Sequence, residues 1–150
     1  MTLNKIINGK EIAASLKKSL QEEISNLKKK YKEVPGLAVV QVGNVAASSV
    51  YVKAKTKSAN EVGIQVFDHH LEENISQDNL LKLITKLNNQ KNVNGILVQL
   101  PLPKHINEQI ILDSINPEKD ADGFHPLNGF LTKDDYDSVV NEMRLSNGDL

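Results

Sequence analysis

The stretch Leu37-Ala38-Val39-Val40-Gln41-Val42-Gly43 decides the fold, because it is a short apolar run that ends at a glycine. An apolar run of about four to eight residues between turn residues is typical of a strand buried on both faces of a parallel sheet. Pro35-Gly36 precedes the run and favours a turn there. Two further runs have the same character, Ile64-Gln65-Val66-Phe67 and Ile96-Leu97-Val98-Gln99-Leu100. We therefore predict three buried strands.

Apolar residues at helical spacing fill the intervals between these strands. A long amphipathic helix is predicted before the first strand, with apolar residues at Ile12, Leu16, Leu20, Ile24, Leu27 and Tyr31. A second helix is predicted from about Ala46 to Val62, ended by Gly63, and a third begins after Ser76 as its N-cap. A short helix around Asn107 to Ile115 follows, and residues 134–150 could form one more. This alternation predicts an α/β fold of three layers, α/β/α, with a mostly parallel sheet.

Composition excludes several classes of function. The chain has 150 residues, of which 39% are hydrophobic and 25% charged, as in an ordinary globular domain. Its net charge of -1 gives no argument for a nucleic-acid partner, and the absence of cysteine excludes thiolate metal sites. Neither a signal peptide nor a membrane span is recognisable, so we expect a cytoplasmic protein without a membrane partner. His69 and His70 are adjacent and would point to opposite faces of a strand, so we predict no metal site.

Three polar features fall where the predicted strands end: the segment Gly43–Lys55, Gln99, and the loop Asp120–Pro126. The carboxyl ends of parallel strands lie along one edge of a sheet, where α/β proteins bind ligands. Ser48, Tyr51 and Lys55 would share one face of the second helix at that edge. Each residue also has a purely structural interpretation: a solvated helix lysine, a tyrosine at the core edge, a glutamine that pairs a backbone group, and aspartates that cap a turn.

The Tyr-x-x-x-Lys spacing of Tyr51 and Lys55 also occurs in short-chain dehydrogenases. Those enzymes begin with a glycine-rich phosphate loop after the first strand, and their Tyr-Lys pair lies much later. Here Val42-Gly43-Asn44-Val45-Ala46 contains one glycine, so the pyrophosphate cradle is missing. The sequence therefore excludes this class.

Taken together, three blocks resemble the methylenetetrahydrofolate dehydrogenase/cyclohydrolase family. The first block is Ala47–Lys55 with Glu61-Val62-Gly63-Ile64 after it, the second is Gly95–Pro103, and the third is Pro117–Asn128. The resemblance runs from about residue 5 to residue 128 and stops beyond Phe130. One departure is that Asn128 and Gly129 are adjacent, where the family usually places one residue between them.

The resemblance implies an amino-terminal, folate-binding catalytic domain over residues 1–130, followed by a tail of unclear role over residues 131–150. Family members oxidise 5,10-methylenetetrahydrofolate to the methenyl form with NADP, and hydrolyse that form to 10-formyltetrahydrofolate. They serve one-carbon metabolism and purine biosynthesis, are usually homodimers, and bind NADP in a Rossmann domain that is absent from these 150 residues. The cyclohydrolase half is therefore the activity expected of this chain alone. The alternatives are a catalytically idle folate-binding or oligomerisation module, and an α/β scaffold without a small-molecule site.

The resemblance also implies roles for individual residues. Lys55 would transfer protons during hydrolysis, and the cationic methenyl substrate would favour its neutral amine. Gln99 would hydrogen-bond Lys55 and position the water, Asp122 would bind the amino-pyrimidine edge of the pterin, and Tyr51 would stack on the folate. The predicted catalytic residues are Lys55, Gln99 and Asp122. The predicted substrate-binding residues are Ser48, Tyr51, Val52, Lys53, Ala54, Lys55, Val98, Gln99, Leu100 and Asp122. No residue of the chain is predicted to bind the cofactor or a metal.

Overall fold

A computed structural model describes residues 8–44 and 46–128. Its sheet has three parallel strands, β1 (Gly36–Val42), β2 (Gln65–Leu71) and β3 (Gly95–Val98), in the order β2-β1-β3. The central strand β1 is buried along nearly its whole length, as its uninterrupted apolar run predicts. The terminal helix predicted over residues 134–150 lies outside the described residues.

Four α-helices surround the sheet: α1 (Gly9–Tyr31), α2 (Ala46–Val62), α3 (Gln77–Asn89) and α4 (Glu108–Asp113). A 3-10 turn, Pro117–Lys119, follows α4. Helix α2 connects the neighbours β1 and β2, and α3 connects β2 to β3 on the other side of β1, since parallel strands need crossover connections. Ser76 caps α3 as predicted, since its hydroxyl accepts the N–H of Asn79 at 3.3 Å. Gly63 follows α2 with a φ of +93°, a conformation that favours glycine.

Alternate side chains of β1 divide the domain into two packed faces. On one face, β1 and β3 pack against α3 and α4 in a core that comprises Ala38, Val40, Val42, Leu80, Ile84, Leu87, Val93, Ile96, Val98, Leu102, Ile106, Ile111 and Ile115. On the other face, α2 contacts β1 and β2, and α1 contacts α2. The predicted three-layer arrangement is therefore confirmed.

Two strand boundaries differ from the prediction. Strand β2 continues past Phe67 to Leu71, because its last residues pair with β1 up to Leu71 opposite Val42. The apolar pattern did not predict this extension, because β2 is an edge strand with polar, exposed residues at Asp68 and His70. Strand β3 ends at Val98, earlier than predicted, although the N–H of Gln99 still donates to the carbonyl oxygen of Val40 at 2.8 Å.

The apolar stripe of α1 is mostly exposed, whereas an amphipathic helix is expected to turn such a stripe toward the core. Ile24 alone is buried in this helix, close to Gly63. The exposed members of the stripe are Ile12, Leu16, Leu20, Leu27 and Tyr31. Helix α1 contacts α2, and Lys17 Nζ lies 2.7 Å from Glu61 Oε2 at this contact.

Candidate active site

Lys55 and Gln99 meet at the carboxyl edge of the sheet. Lys55 Nζ donates a hydrogen bond to Gln99 Oε1 at 3.2 Å, across a separation of 44 residues. Gln99 Nε2 donates to the carbonyl oxygen of Leu100 at 2.7 Å, so the amide is held from its other end. This second bond fixes the Gln99 oxygen toward Lys55. The contact implied by the family resemblance is therefore present in this chain.

Asp122 lies beside this pair and is half-buried. Burial raises the pKa of the Asp122 carboxyl, the positive charge of Lys55 acts in the opposite direction, and the negative charge of Asp120 raises it further. The net effect is a pKa above the ordinary range for aspartate. The three residues predicted to be catalytic, Lys55, Gln99 and Asp122, thus come from three separate segments and share one edge of the sheet.

The loop that carries Asp122 is organised by Asp120. Asp120 Oδ2 accepts the backbone N–H of His125 at 2.9 Å and the side-chain amide of Asn128 at 3.2 Å. Burial raises the pKa of Asp120, but these hydrogen bonds, with others from the backbone of Phe124 and Gly123, outweigh burial and leave the pKa lowered. Sequence reasoning gave Asp120 only the role of a turn cap. The pattern Asp-x-Asp-Gly does not distinguish the aspartate that faces the site from the one that holds the loop.

A second anchor of this loop, which sequence reasoning missed, is Lys119. Its Nζ donates to the carbonyl oxygens of Asn88 at 2.7 Å and Gln90 at 2.9 Å, and more weakly to that of Leu87 at 3.4 Å. These carbonyls lie at the C-terminal end of α3, where helix carbonyls lack partners within the helix and where positive charge is favourable. The only sequence signal was a lysine next to an aspartate, which is common on any surface.

The remaining predicted substrate-binding residues have different environments. Tyr51 has a relative exposure of 64%, so its ring is accessible to a ligand. Ala54 is exposed, and Val52 and Leu100 are partly buried. Ser48 and Val98 are buried, Val98 within the main core, so the side chains of these two residues do not reach the surface of the site. Their assignment as ligand contacts stays a prediction that the side-chain packing does not support.

A cavity of about 510 Å³ lies on the other flank of α2, away from Lys55, Gln99 and Asp122. Its lining comprises Val39, Gln41, Asn44, Ser49, Val52, Lys53, Thr56, Lys57, Asn60, Asp68, His69 and His70. Lys53, predicted to bind substrate, therefore faces this cavity. The lining contains none of Lys55, Gln99 and Asp122.

Beneath this cavity, the buried Gln41 ties the end of β1 to the start of α2. Gln41 Nε2 donates to Ser49 Oγ at 3.0 Å, and Ser49 Oγ donates to Asn44 Oδ1 at 3.2 Å. Gln41 is only 4% exposed, so its amide depends on these partners. This network fixes the first turns of α2, the helix that carries Tyr51 and Lys55.

Within residues 8–44 and 46–128, no group of three or more histidine, cysteine, aspartate or glutamate side chains is arranged to hold a metal ion. Over the same residues, every helix is too short or too polar to cross a membrane.

A parallel sheet with an amine, an amide and a carboxylate at its carboxyl edge is typical of an α/β domain that binds a small molecule and acts on it chemically. The family model for the tetrahydrofolate dehydrogenase/cyclohydrolase catalytic domain matches residues 7–122. The chain belongs to this family, as its three sequence blocks predicted.

Relatives and solved structures agree with this assignment. The bifunctional protein FolD of Acetivibrio thermocellus is 52% identical over 124 residues, which are 83% of this chain and 43% of the relative. The bifunctional enzyme FolD of Campylobacter jejuni superposes with a TM-score of 0.79 at 50% identity, over 81% of this chain and 43% of that one. The Trypanosoma brucei enzyme, solved with NADP cofactor and inhibitor, gives a TM-score of 0.79 at 37% identity, over 85% of this chain and 43% of its own. The chain thus spans less than half the length of these relatives.

A second family model, for a PUA-like domain, matches residues 120–150. It overlaps the first model only at residues 120–122. Most of this match lies outside the described residues. The start of the second match falls close to where the sequence resemblance to the folate family stops.

Proposed function

We propose that residues 1–130 form a folate-binding catalytic domain that hydrolyses 5,10-methenyltetrahydrofolate to 10-formyltetrahydrofolate. The observation that carries this proposal is the contact between Lys55 Nζ and Gln99 Oε1 at 3.2 Å, with the Asp122 carboxyl beside it. An amine, a neutral amide and a carboxylate at one sheet edge suit a substrate that is cationic at the reacting carbon and rich in donors on its pterin ring. Exposed Tyr51 supplies a ring on which a folate can stack.

The hydrolysis requires a proton to leave water and a proton to reach a departing nitrogen. When the methenyl substrate is bound, its positive charge disfavours the protonated amine, and Lys55 in its neutral form accepts one proton of the water that adds to the methenyl carbon. Lys55 then gives that proton to N5 as the bond between the carbon and N5 breaks. The hydroxyl of the adduct loses its remaining proton to solvent, which leaves the formyl group on N10. Gln99 orients both Lys55 and the oxygen of the attacking water. These steps use side chains and water and include no metal.

Asp122 binds the amino-pyrimidine edge of the pterin through its carboxylate oxygens. Acceptance of two N–H groups requires the ionised form. Because burial raises the pKa of Asp122, folate affinity falls on acidification at a higher pH than it would with an ordinary aspartate. Binding measured between neutral pH and mildly acidic pH tests this role. An affinity that stays constant down to the pH of acid unfolding contradicts it.

The dehydrogenase half belongs, in our proposal, to a full-length protein of this family with bound NADP. The residues of this domain do not fit the cofactor, since the turn after β1 contains the single glycine Gly43 in place of a glycine-rich phosphate loop. We therefore assign no hydride-transfer step to this chain. A full-length homodimer located in the cytoplasm, supplying one-carbon units to purine biosynthesis, completes the proposal.

The test uses this chain with methenyltetrahydrofolate, whose absorbance decays on hydrolysis. We expect the wild-type chain to accelerate the decay and Lys55→Met to lose at least about 100-fold of that rate, the lower end for loss of a general acid-base group. Lys57→Met is the matched control, because Lys57 is an exposed lysine of the same helix on the flank away from Gln99. Saturable folate binding without turnover identifies the idle binding module instead. Neither binding nor turnover refutes the proposal.

A further inference from the structure

We propose that Asp120 is a positioning residue that holds the Asp122 carboxyl at the site by closing the loop around it. The inference rests on the proposed role of Asp122 in folate binding. Asp120 is distinct from the three residues predicted to be catalytic, because its carboxylate is directed toward its own loop. The chemistry it serves is recognition of the donor edge of the pterin.

The hydrogen bonds of Asp120 explain how it acts. Its Oδ2 accepts the N–H of His125 at 2.9 Å and the side-chain amide of Asn128 at 3.2 Å. The same Asn128 amide donates to the carbonyl oxygen of Pro117 at 2.7 Å. One carboxylate and one amide therefore join the two ends of the loop, and Asp122 lies between the joined segments.

The loop is also fixed to the sheet at its beginning. The N–H of Ala121 donates to the carbonyl oxygen of Ile96 at 3.1 Å, and Ile96 and Asp120 form an isolated parallel bridge. Asp120 therefore stands between a segment tied to β3 and a segment that, among the described residues, its carboxylate and the Asn128 amide join to the rest of the loop. Loss of that carboxylate would loosen the stretch from Asp122 to Asn128, which would keep the bond of Asn128 to Pro117, while its start stays attached.

Asp120 has an electrostatic effect in addition to the geometric one. The charged groups that act on Asp122 are Lys55, which lowers the pKa of Asp122, and Asp120, which raises it. Removal of the Asp120 charge therefore lowers the pKa of Asp122. Release of the loop would also lower this pKa by reducing the burial of Asp122, so the charge effect is the part of the change that Asp120→Asn shows beyond Asn128→Ala.

Three variants separate geometry from charge. Asp120→Asn removes the charge and places an amide where the carboxylate accepted two donors. Asn128→Ala removes the two hydrogen bonds of the Asn128 amide but keeps the Asp120 charge and its bond to His125. Glu118→Gln is the matched control, since Glu118 is an exposed acid of the same turn whose backbone N–H bonds to Asn116. Circular dichroism first establishes that each variant is folded.

We expect turnover to fall about 10- to 100-fold in Asp120→Asn and in Asn128→Ala, the scale of a misplacement of about 1 Å at an active site. Carbon-detected NMR titration of the Asp122 carboxyl should show a lowered pKa in Asp120→Asn, and a smaller lowering in Asn128→Ala, which keeps the Asp120 charge. Glu118→Gln should leave turnover and titration at wild-type values. The positioning role is overturned when Asp120→Asn behaves as Glu118→Gln does in both measurements.

The titration also separates failure of this inference from failure of the proposed function. A wild-type chain that neither binds nor hydrolyses the folate refutes the function. The NMR comparison still decides the role of Asp120 in that case. A shifted Asp122 titration with altered amide signals at His125 supports it, and unchanged signals overturn it.

Discussion

Replacement of Lys119 by methionine tests how strongly the loop that carries Asp120 and Asp122 is tied to the rest of the domain. Methionine keeps the length and apolar stem of the side chain but removes the three N–H donors. The lost contacts are those to the carbonyl oxygens of Asn88 at 2.7 Å and Gln90 at 2.9 Å, with a weaker one to Leu87 at 3.4 Å. Lys119 is partly buried, so water cannot replace all of these donors.

The expected cost follows from these contacts. A hydrogen bond from a charged donor contributes about 1.5–3 kcal/mol net, and partial access of water lowers that figure. Two good bonds at a partly exposed site therefore give on the order of 2 kcal/mol in total. For a domain of this size, each kcal/mol shifts the melting temperature by about 4 °C, so Lys119→Met should melt ~8 °C below the wild type.

Urea unfolding followed by far-UV circular dichroism measures the loss directly. The midpoint should fall while the slope of the transition stays constant, because the surface exposed on unfolding is unchanged. Lys91→Met is the matched control, since Lys91 is an exposed lysine just after the segment that Lys119 contacts. The reasoning is wrong when the two variants lose equal stability.

Three further predictions concern stability. Because the pKa of Asp122 is raised on folding, its ionised form opposes folding, and Asp122→Asn should therefore raise the melting temperature at neutral pH. Thermal melts should show that gain vanish below a pH of about 3.8, the ordinary pKa of aspartate, where the unfolded carboxyl is also protonated. Gln41→Leu should cost about 1 kcal/mol in urea unfolding, because Ser49 loses its donor; an unchanged midpoint would contradict the anchoring role. Ile84→Ala should cost about 3 kcal/mol by the same measurement, and Leu83→Ala at the partly buried neighbouring position should cost less.

Sequence alone predicts the layers of this domain because each buried strand is a continuous apolar run. The run Leu37–Val42 gives β1 in this way, and the glycine after α2 marks where that helix ends. The edge strand β2 is harder to predict, since Asp68 and His70 are polar and exposed, as residues of a loop are. The exposed stripe of α1 could not be anticipated, because periodicity reports that a helix is amphipathic and not what covers its apolar side.

The candidate site divides in the same way. Lys55, Gln99 and Asp122 could be placed at one sheet edge because parallel strands put their carboxyl ends together. The contacts by which Lys119 and Asp120 hold the loop could not be predicted, since they depend on where side chains meet after the loop folds. A lysine that donates to three carbonyls of a distant helix leaves no local pattern. The sequence also could not predict how exposed each proposed substrate-binding residue is. Val98, for example, belongs to the core.

The contact between Lys55 and Gln99 spans 44 residues, and this separation determines the stage of folding at which the site can form. During synthesis the ribosome releases Lys55 long before Gln99, so α2 exists for a time without its chemical partner. The pair forms only once β3 has docked beside β1, a non-local step that closes late in the folding of parallel sheets. Under the proposed function, a nascent or partly folded chain would have no activity, and turnover would report completion of the sheet.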